Sequence, residues 1–278
     1  MLLMIKKSDF TRNSFFISYL LFLLCIIVTA SCESSEKEKV SEAVAKETVE
    51  ELSKEAKLKR KVETHLGIPA NENYDFQVYY EYLDQDTLID AVILVNRYAF
   101  ALQKYEQDGN MKFLEYMGFS GPHNYVFVQL GNSDKLLDSQ PIGSSIDTPL
   151  EVEFDFITSM AQKDFWVEYR LKNSLYRNYY RVHKGGLELT FNCPVFDNIG
   201  DDIPIAYHIQ HKESAVRVAK DIFMYFGEIK NYNPSKIEDV NNFTPEEIVK
   251  TDSLFVFFIF NEKTGKYVTP YKKHNEED

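Results

Sequence analysis

Asp84, Asp86 and Asp90 are the residues of this chain whose types and spacing best suit a chemical task. Carboxylates at alternate positions of a tight loop gather hard oxygen donors around one point, as a six-to-eight-coordinate calcium ion requires. Other groups offer less. His208 and His211 form an H-x-x-H pair with Glu213 nearby. Residues three apart on a strand point to opposite faces, so a shared metal there needs a helix or a bend. Cys193 sits in the apolar stretch from Phe191 to Pro194. A nucleophile at that place needs a base such as His183 or His208 brought to it by folding, and a buried inert thiol is the simpler expectation. Glu151, Glu153 and Asp155 share one face of an expected strand and read as a solvated face. The chain carries no G-x-S-x-G, H-E-x-x-H, Walker loop or dinucleotide fingerprint.

A fifth chemical position is Cys32. Lys6, Lys7 and Arg12 precede an apolar run from Phe15 to Ala30 in which Ser18 and Thr29 are the polar members. That is the basic and apolar layout of an export signal. A spanning helix needs about 20 apolar residues, and this run is shorter. The run ends in Val28-Thr29-Ala30-Ser31-Cys32, which resembles the lipobox of bacterial lipoproteins, with Thr29 where leucine is usual. The resemblance implies acylation of Cys32, a membrane partner held through that lipid, and a place on the outer membrane of a cell envelope. An ordinary cleaved signal and a retained anchor are the alternative readings. With Cys25 in the signal and Cys32 acylated, Cys193 is the one thiol left in the body, so no internal disulfide is expected.

The formal net charge is -12, and loss of the basic signal makes the mature chain more acidic still. Such a surface repels nucleic acid and keeps a tethered protein soluble. Aromatic residues are absent from Glu33 to Asn73 and dense from Tyr74 onward. The expected organisation is therefore a signal over 1–31, a lipid-anchored charged tether over 32–73 and a folded body over 74–278. Acid-before-base pairs such as Glu42 with Lys46 and Glu55 with Lys59 support helix in the tether, with Val49, Leu52, Ala56 and Val62 on an apolar stripe. Gly67 and Pro69 stop it. The acidic and serine-rich residues after Cys32 resemble the tags that send some lipoproteins of Bacteroides and Flavobacterium relatives to the cell surface.

In the body the dominant period is two. Val152, Phe154 and Phe156 alternate with Glu151, Glu153 and Asp155, and Phe165, Val167, Tyr169 and Leu171 alternate with Trp166, Glu168, Arg170 and Lys172. This pattern predicts half-buried strands. Ala91 to Val95, Tyr125 to Val128 and Leu254 to Phe260 predict strands covered on both faces. Gly185-Gly186 predicts a hairpin from Tyr179 to Phe191, and Asp108-Gly109 and Thr264-Gly265 are two further hairpin tips. Pro245 to Lys250, behind Thr244, predicts a helix. Val216 to Phe226 leans to strand. Glu81-Tyr82-Leu83 with Asp90 to Ile93 aligns with Asp155-Phe156-Ile157 and Asp164 to Val167, an internal echo. The fold expected is mainly β, antiparallel sheet modules of propeller or sandwich kind over about 74–148 and 149–278, behind a charged helical spacer.

The stretch from Tyr82 to Ile93 resembles the D-x-D-G-D-G-x-x-D-A-V loop of FG-GAP and VCBS-type repeats, the integrin-like propellers. The resemblance implies a calcium ion held by Asp84, Asp86 and Asp90. This chain departs from the pattern: Tyr82 replaces the first aspartate, and Gln85 and Thr87 replace glycines, Thr87 at a position that favours positive φ. Weak or lost binding of the ion is expected from those departures, and no cofactor is expected otherwise. The functional expectation is a lipid-anchored envelope protein with a non-catalytic binding or structural β domain, its partner a glycan or an envelope protein, given the wealth of aromatics. The alternative is a secreted polysaccharide hydrolase using a carboxylate pair beside exposed Tyr and Trp166.

Overall fold

The computed structural model describes residues 53–117, 123–133 and 135–270. The chain divides at Ser53, and the body runs from Lys54. The stretch expected to be a signal, Cys32 and the expected tether before Ser53 lie outside the described residues, as do 118–122, 134 and 271–278.

The body is mainly β, as the alternation predicts, in two antiparallel sheets of four and eight strands. Helix α1 (Lys54–Leu66) comes first. The four-stranded sheet follows in sequence order: β1 (Asp75–Glu81), β2 (Asp90–Asn96), β3 (Asn124–Gln129) and β4 (Gln140–Ile142). Between β2 and β3 the chain makes α2 (Tyr98–Gln107) and α3 (Met111–Met117). The eight-stranded sheet is also sequential: β5 (Glu151–Asp155), β6 (Asp164–Leu171), β7 (Ser174–His183), β8 (Gly186–Asp197), β9 (Ile205–Lys212), β10 (Asp221–Ile229), β11 (Ile248–Asn261) and β12 (Lys266–Val268).

Side-chain alternation builds the layers. Strand β2 is buried along its whole length. Val92 and Leu94 face one core with Phe165, Val167, Tyr180 and Val182 of β6 and β7. Ala91, Ile93 and Val95 face the opposite way and meet Leu58 and Val62, four residues apart on α1. Strands β5–β8 are likewise used on both faces. Trp166, Tyr179, Phe191 and Cys193 point away from the first core into a second one with Ile222, Met224, Phe260 and Tyr267 of β10, β11 and β12.

A sheet whose two halves share a core must fold over, and the junction allows it. Strand β8 pairs with β9 only at Phe196↔Ala206 and Asp197↔Ile205. Three four-stranded meanders, β1–β4, β5–β8 and β9–β12, are thus joined face to face through two cores, with α1 on the outer face of the first.

Each meander opens with the same hairpin. The closing pairs are Glu81↔Asp90, Asp155↔Asp164 and Lys212↔Asp221, and the loops 82–89, 156–163 and 213–220 are equal in length. An aspartate begins the second strand every time. The internal echo seen in the sequence is the first two of these hairpins, in identical register.

Several expectations are corrected. The tether reading fails for 54–66, because α1 buries Leu58 and Val62 on the first meander and so belongs to the body. Asp108-Gly109 joins α2 to α3 instead of two strands; Gly109 has φ +68° and ends a helix. Helix α2 is held by Ala101 and Tyr105, buried against Ile146. The helix expected over Pro245 to Lys250 is absent, since Ile248 already pairs with Ile229 as the start of β11. In 216–226, strand begins only at Asp221. Leu254 to Phe260 is not covered on both faces, for Leu254 and Phe255 are exposed. The hairpins at Gly185-Gly186 and Thr264-Gly265 form where expected, with Tyr179 opposite Phe191.

Candidate functional site

The loops of the first two hairpins lie against one another and enclose an open cleft of about 470 Å³. Its lining comes from both: Tyr82, Asp84, Gln85 and Thr87 from the first loop with Glu81 at its foot, and Phe156, Ala161, Gln162 and Lys163 from the second. The loops are tied together below the cleft. Lys163 N–H donates to Tyr82 O at 3.1 Å, and Lys163 Nζ to Glu81 Oε2 at 2.6 Å. Gln162 Nε2 donates to Leu83 O and to Val182 O at 3.0 and 2.8 Å. Partial burial pushes the Glu81 carboxyl up, but the bonds from Lys163 and from Tyr82 N–H outweigh it and hold the group below its ordinary range.

Two aromatic side chains stand open at this cleft, Tyr82 at 47% exposure and Phe156 at 37%. They occupy the same position in the two hairpins, one residue after Glu81 and Asp155 respectively. Lys163 Nζ lies 5.8 Å from the centre of the Phe156 ring. The cleft therefore offers ring surface beside a hydroxyl, an amide, carboxylates and one ammonium group.

The first loop is built by its aspartates, as amide acceptors. Asp90 is fully buried; Oδ2 accepts from Leu83 N–H and Oδ1 from Gly131 N–H, both at 2.8 Å. Gly131 must be glycine, because a Cβ there would lie 2.6 Å from Ile89 O. Asp84 Oδ1 accepts from Asp86 N–H and Asp86 Oδ1 from Leu88 N–H, two successive Asx turns. Thr87 takes φ +65°. Burial pushes the Asp84 carboxyl up, and the nearby Asp86 and Asp90 carboxylates push in the same direction.

The calcium set implied by the resemblance is engaged in part by backbone amides. Asp90 has both oxygens on amides, and Asp84 and Asp86 each give one to an amide. Asp86 Oδ2 is buried without a hydrogen-bond partner. Among the described residues no group of three or more His, Cys, Asp or Glu is placed to hold a metal ion.

The junction between the second and third meanders repeats the tie. Lys220 N–H donates to Ile157 O at 2.8 Å, and Lys220 Nζ to Asp155 Oδ2 at 3.1 Å. Beside it lies a polar chain. His211 Nδ1 is 3.4 Å from Asp155 Oδ2 and Nε2 is 3.1 Å from Tyr179 Oη. Arg177 donates to Tyr179 Oη at 3.0 Å and to Glu168 through Nε at 3.0 Å. Burial, with the Arg177 guanidinium nearby, lowers His211 to about 4. Trp166 packs edge-on to His211 within this layer and is buried, so it offers no open platform.

The remaining sequence candidates separate. His208 turns to Ile248 O at 3.1 Å while His211 turns to the second meander, so the two do not converge. Cys193 is a buried free thiol, pushed up to about 12 by burial. Glu151 and Glu153 are exposed, and Asp155 is engaged by Lys220 and His211. The internal echo aligns Tyr82 with Phe156, and no local pattern marks either as a site residue. The third hairpin's sequence signal is Lys163-Asp164-Phe165 matched by Lys220-Asp221-Ile222.

Comparison with protein-family models, with curated proteins and with solved structures finds no match.

Proposed function

We propose that the chain is a lipid-anchored protein of the cell envelope, attached to the outer membrane through Cys32, and that its β body binds a ligand without transforming it in the cleft between the first two hairpin loops. The address rests on the sequence from Lys6 to Cys32. The binding role rests on one observation above all: two loops from successive meanders meet around a cleft with exposed Tyr82 and Phe156. Buried rings are core; two open rings at equivalent positions of one cleft are the usual anchors of recognition. The equal hairpins are what an FG-GAP or VCBS-type repeat would leave after losing its ion, and we read the meanders as modules of that kind. Among the described residues no helix is long and apolar enough to cross a membrane, and a lipid on Cys32 supplies the attachment.

Two measurements test this. Labelled palmitate should enter the unsubstituted chain in cells and not Cys32→Ala, which should leave the membrane fraction; a membrane-bound, unlabelled chain would overturn the anchor. The full chain in detergent should be retained on washed envelope fragments, and the double variant Tyr82→Ala/Phe156→Ala should wash off. Equal retention of that variant would overturn the cleft as the binding site.

A further inference from the structure

We infer that the ligand of this cleft is a neutral or amino-bearing saccharide chain, bound at one site per molecule, with a sugar ring against Tyr82 and Phe156. The inference rests on the cleft being the binding site and goes on to name what enters it.

The lining has two kinds of surface. The rings of Tyr82 and Phe156 are apolar and open. Around them stand Gln85, Thr87, Asp84 and the Glu81–Lys163 pair. A purely aliphatic ligand would cover those polar groups without bonding them, which costs about 1–3 kcal/mol for each one buried unpaired. A pyranose ring meets both demands, since its C–H face lies on an aromatic ring while its hydroxyls project sideways to amide, hydroxyl and carboxylate partners. The cleft volume of about 470 Å³ falls within the range of small-ligand sites. It is open, which suits a chain that enters and leaves instead of an enclosed cofactor.

Charge selects within the class. Glu81 and Asp84 line the cleft against the single cation Lys163, in a chain of formal net charge -12. Uronic, sulfated or phosphorylated chains are therefore repelled, and neutral or amino sugars are not.

The next junction fixes the number of sites. By the hairpin register, Tyr82 and Phe156 are followed in the third loop by Glu213. The second junction thus lacks one of the two rings, and its layer is filled by Trp166, Tyr179 and His211. Of the two junctions, the first carries the pair of open rings, and one site per chain is assigned there.

The test is calorimetric titration of the full chain in detergent with cellotetraose, mannotetraose and chitotetraose, and with tetragalacturonate as the acidic counterpart. At least one of the first three should bind one per chain. Tyr82→Ala and Phe156→Ala should each weaken it by about tenfold or more, whereas Glu213→Ala should leave it unchanged. Both rings are exposed, so these variants keep the core, which circular dichroism checks. Failure of all three neutral or amino probes, preference for tetragalacturonate, or undiminished affinity in both ring variants would overturn the inference. If the probes fail while the double variant still washes off envelope fragments, the ligand class falls and the binding site stands. If the double variant is retained as well, both fall.

Discussion

Lys163 Nζ lies 2.6 Å from Glu81 Oε2, joining the residue before the aspartate of one hairpin to the last residue of the first strand in the hairpin before it. Lys220 stands in the same relation to Asp155 one module further on. The series ends at both sides: Ile89 takes the lysine position in the first hairpin, and Lys212 takes the carboxylate position in the third. The contacts between modules are thus written for three meanders in this order. The pair is part-exposed on both sides, so water already solvates much of it. Lys163→Met should cost less than about 1 kcal/mol in urea unfolding.

A second ion pair should behave differently. Arg97 and Glu72 are both nearly buried, and Arg97 Nε and Nη2 donate to the two Glu72 oxygens at 2.6 Å each. The pair ties the segment after α1 to the end of β2. Glu72→Ala leaves a buried guanidinium without its carboxylate, and the expected loss is about 3 kcal/mol or more. Urea unfolding of the two variants side by side checks the contrast. Equal losses would mean that burial does not set the strength of these pairs.

How much of this the sequence carried depends on which physics decided each element. Strands with a clear period of two were legible, down to Tyr179 opposite Phe191, because alternation and a Gly-Gly turn are local signals. Tertiary contacts decided the rest. Ile248 to Lys250 has a good helix start in Thr244-Pro245, yet pairing with Gly227 to Ile229 makes it strand. Helix α2 has a weak stripe of its own and is fixed by Ala101 and Tyr105 meeting Ile146 from a distant loop. The site was half legible. The echo aligned Tyr82 with Phe156, but that the two loops touch depends on the stacking of meanders, which no local pattern states. Thr87 shows the reverse case: the pattern asks for positive φ, and the backbone adopts +65° although the residue is β-branched.

Asp90 gives a prediction that separates structure from metal binding. Its carboxylate is buried between two amides, Leu83 N–H and Gly131 N–H. Asp90→Ala strands both donors, and a cost of about 2 kcal/mol or more is expected. The loss should be the same in calcium and in chelator, and the unsubstituted chain should show one melting temperature in both. A calcium-dependent rise in melting temperature that disappears in Asp90→Ala would overturn the amide-holding role assigned to the aspartates.

The dependence of stability on pH should be flatter in the intact chain than in either of two variants. His211 falls from 6.5 to about 4 in the folded state through burial, so the unfolded chain binds the extra proton between those values. Its contribution is full above about 6.5 and is lost as pH falls through about 4. Asp164 has the opposite sign. Burial raises it from 3.8 to about 6 despite the bonds from Thr158, so the folded chain holds the extra proton in that window. Its contribution is full below about 3.8 and is lost as pH rises through about 6. Between pH 4 and 6 the two slopes oppose each other. His211→Gln removes the first, and its stability should rise as pH falls from about 6 to 4; Asp164→Asn removes the second, and its stability should drop over the same range. Urea midpoints at several pH values read the slopes directly, independent of the absolute cost of each substitution. Parallel curves for all three chains would show that neither group titrates differently on folding.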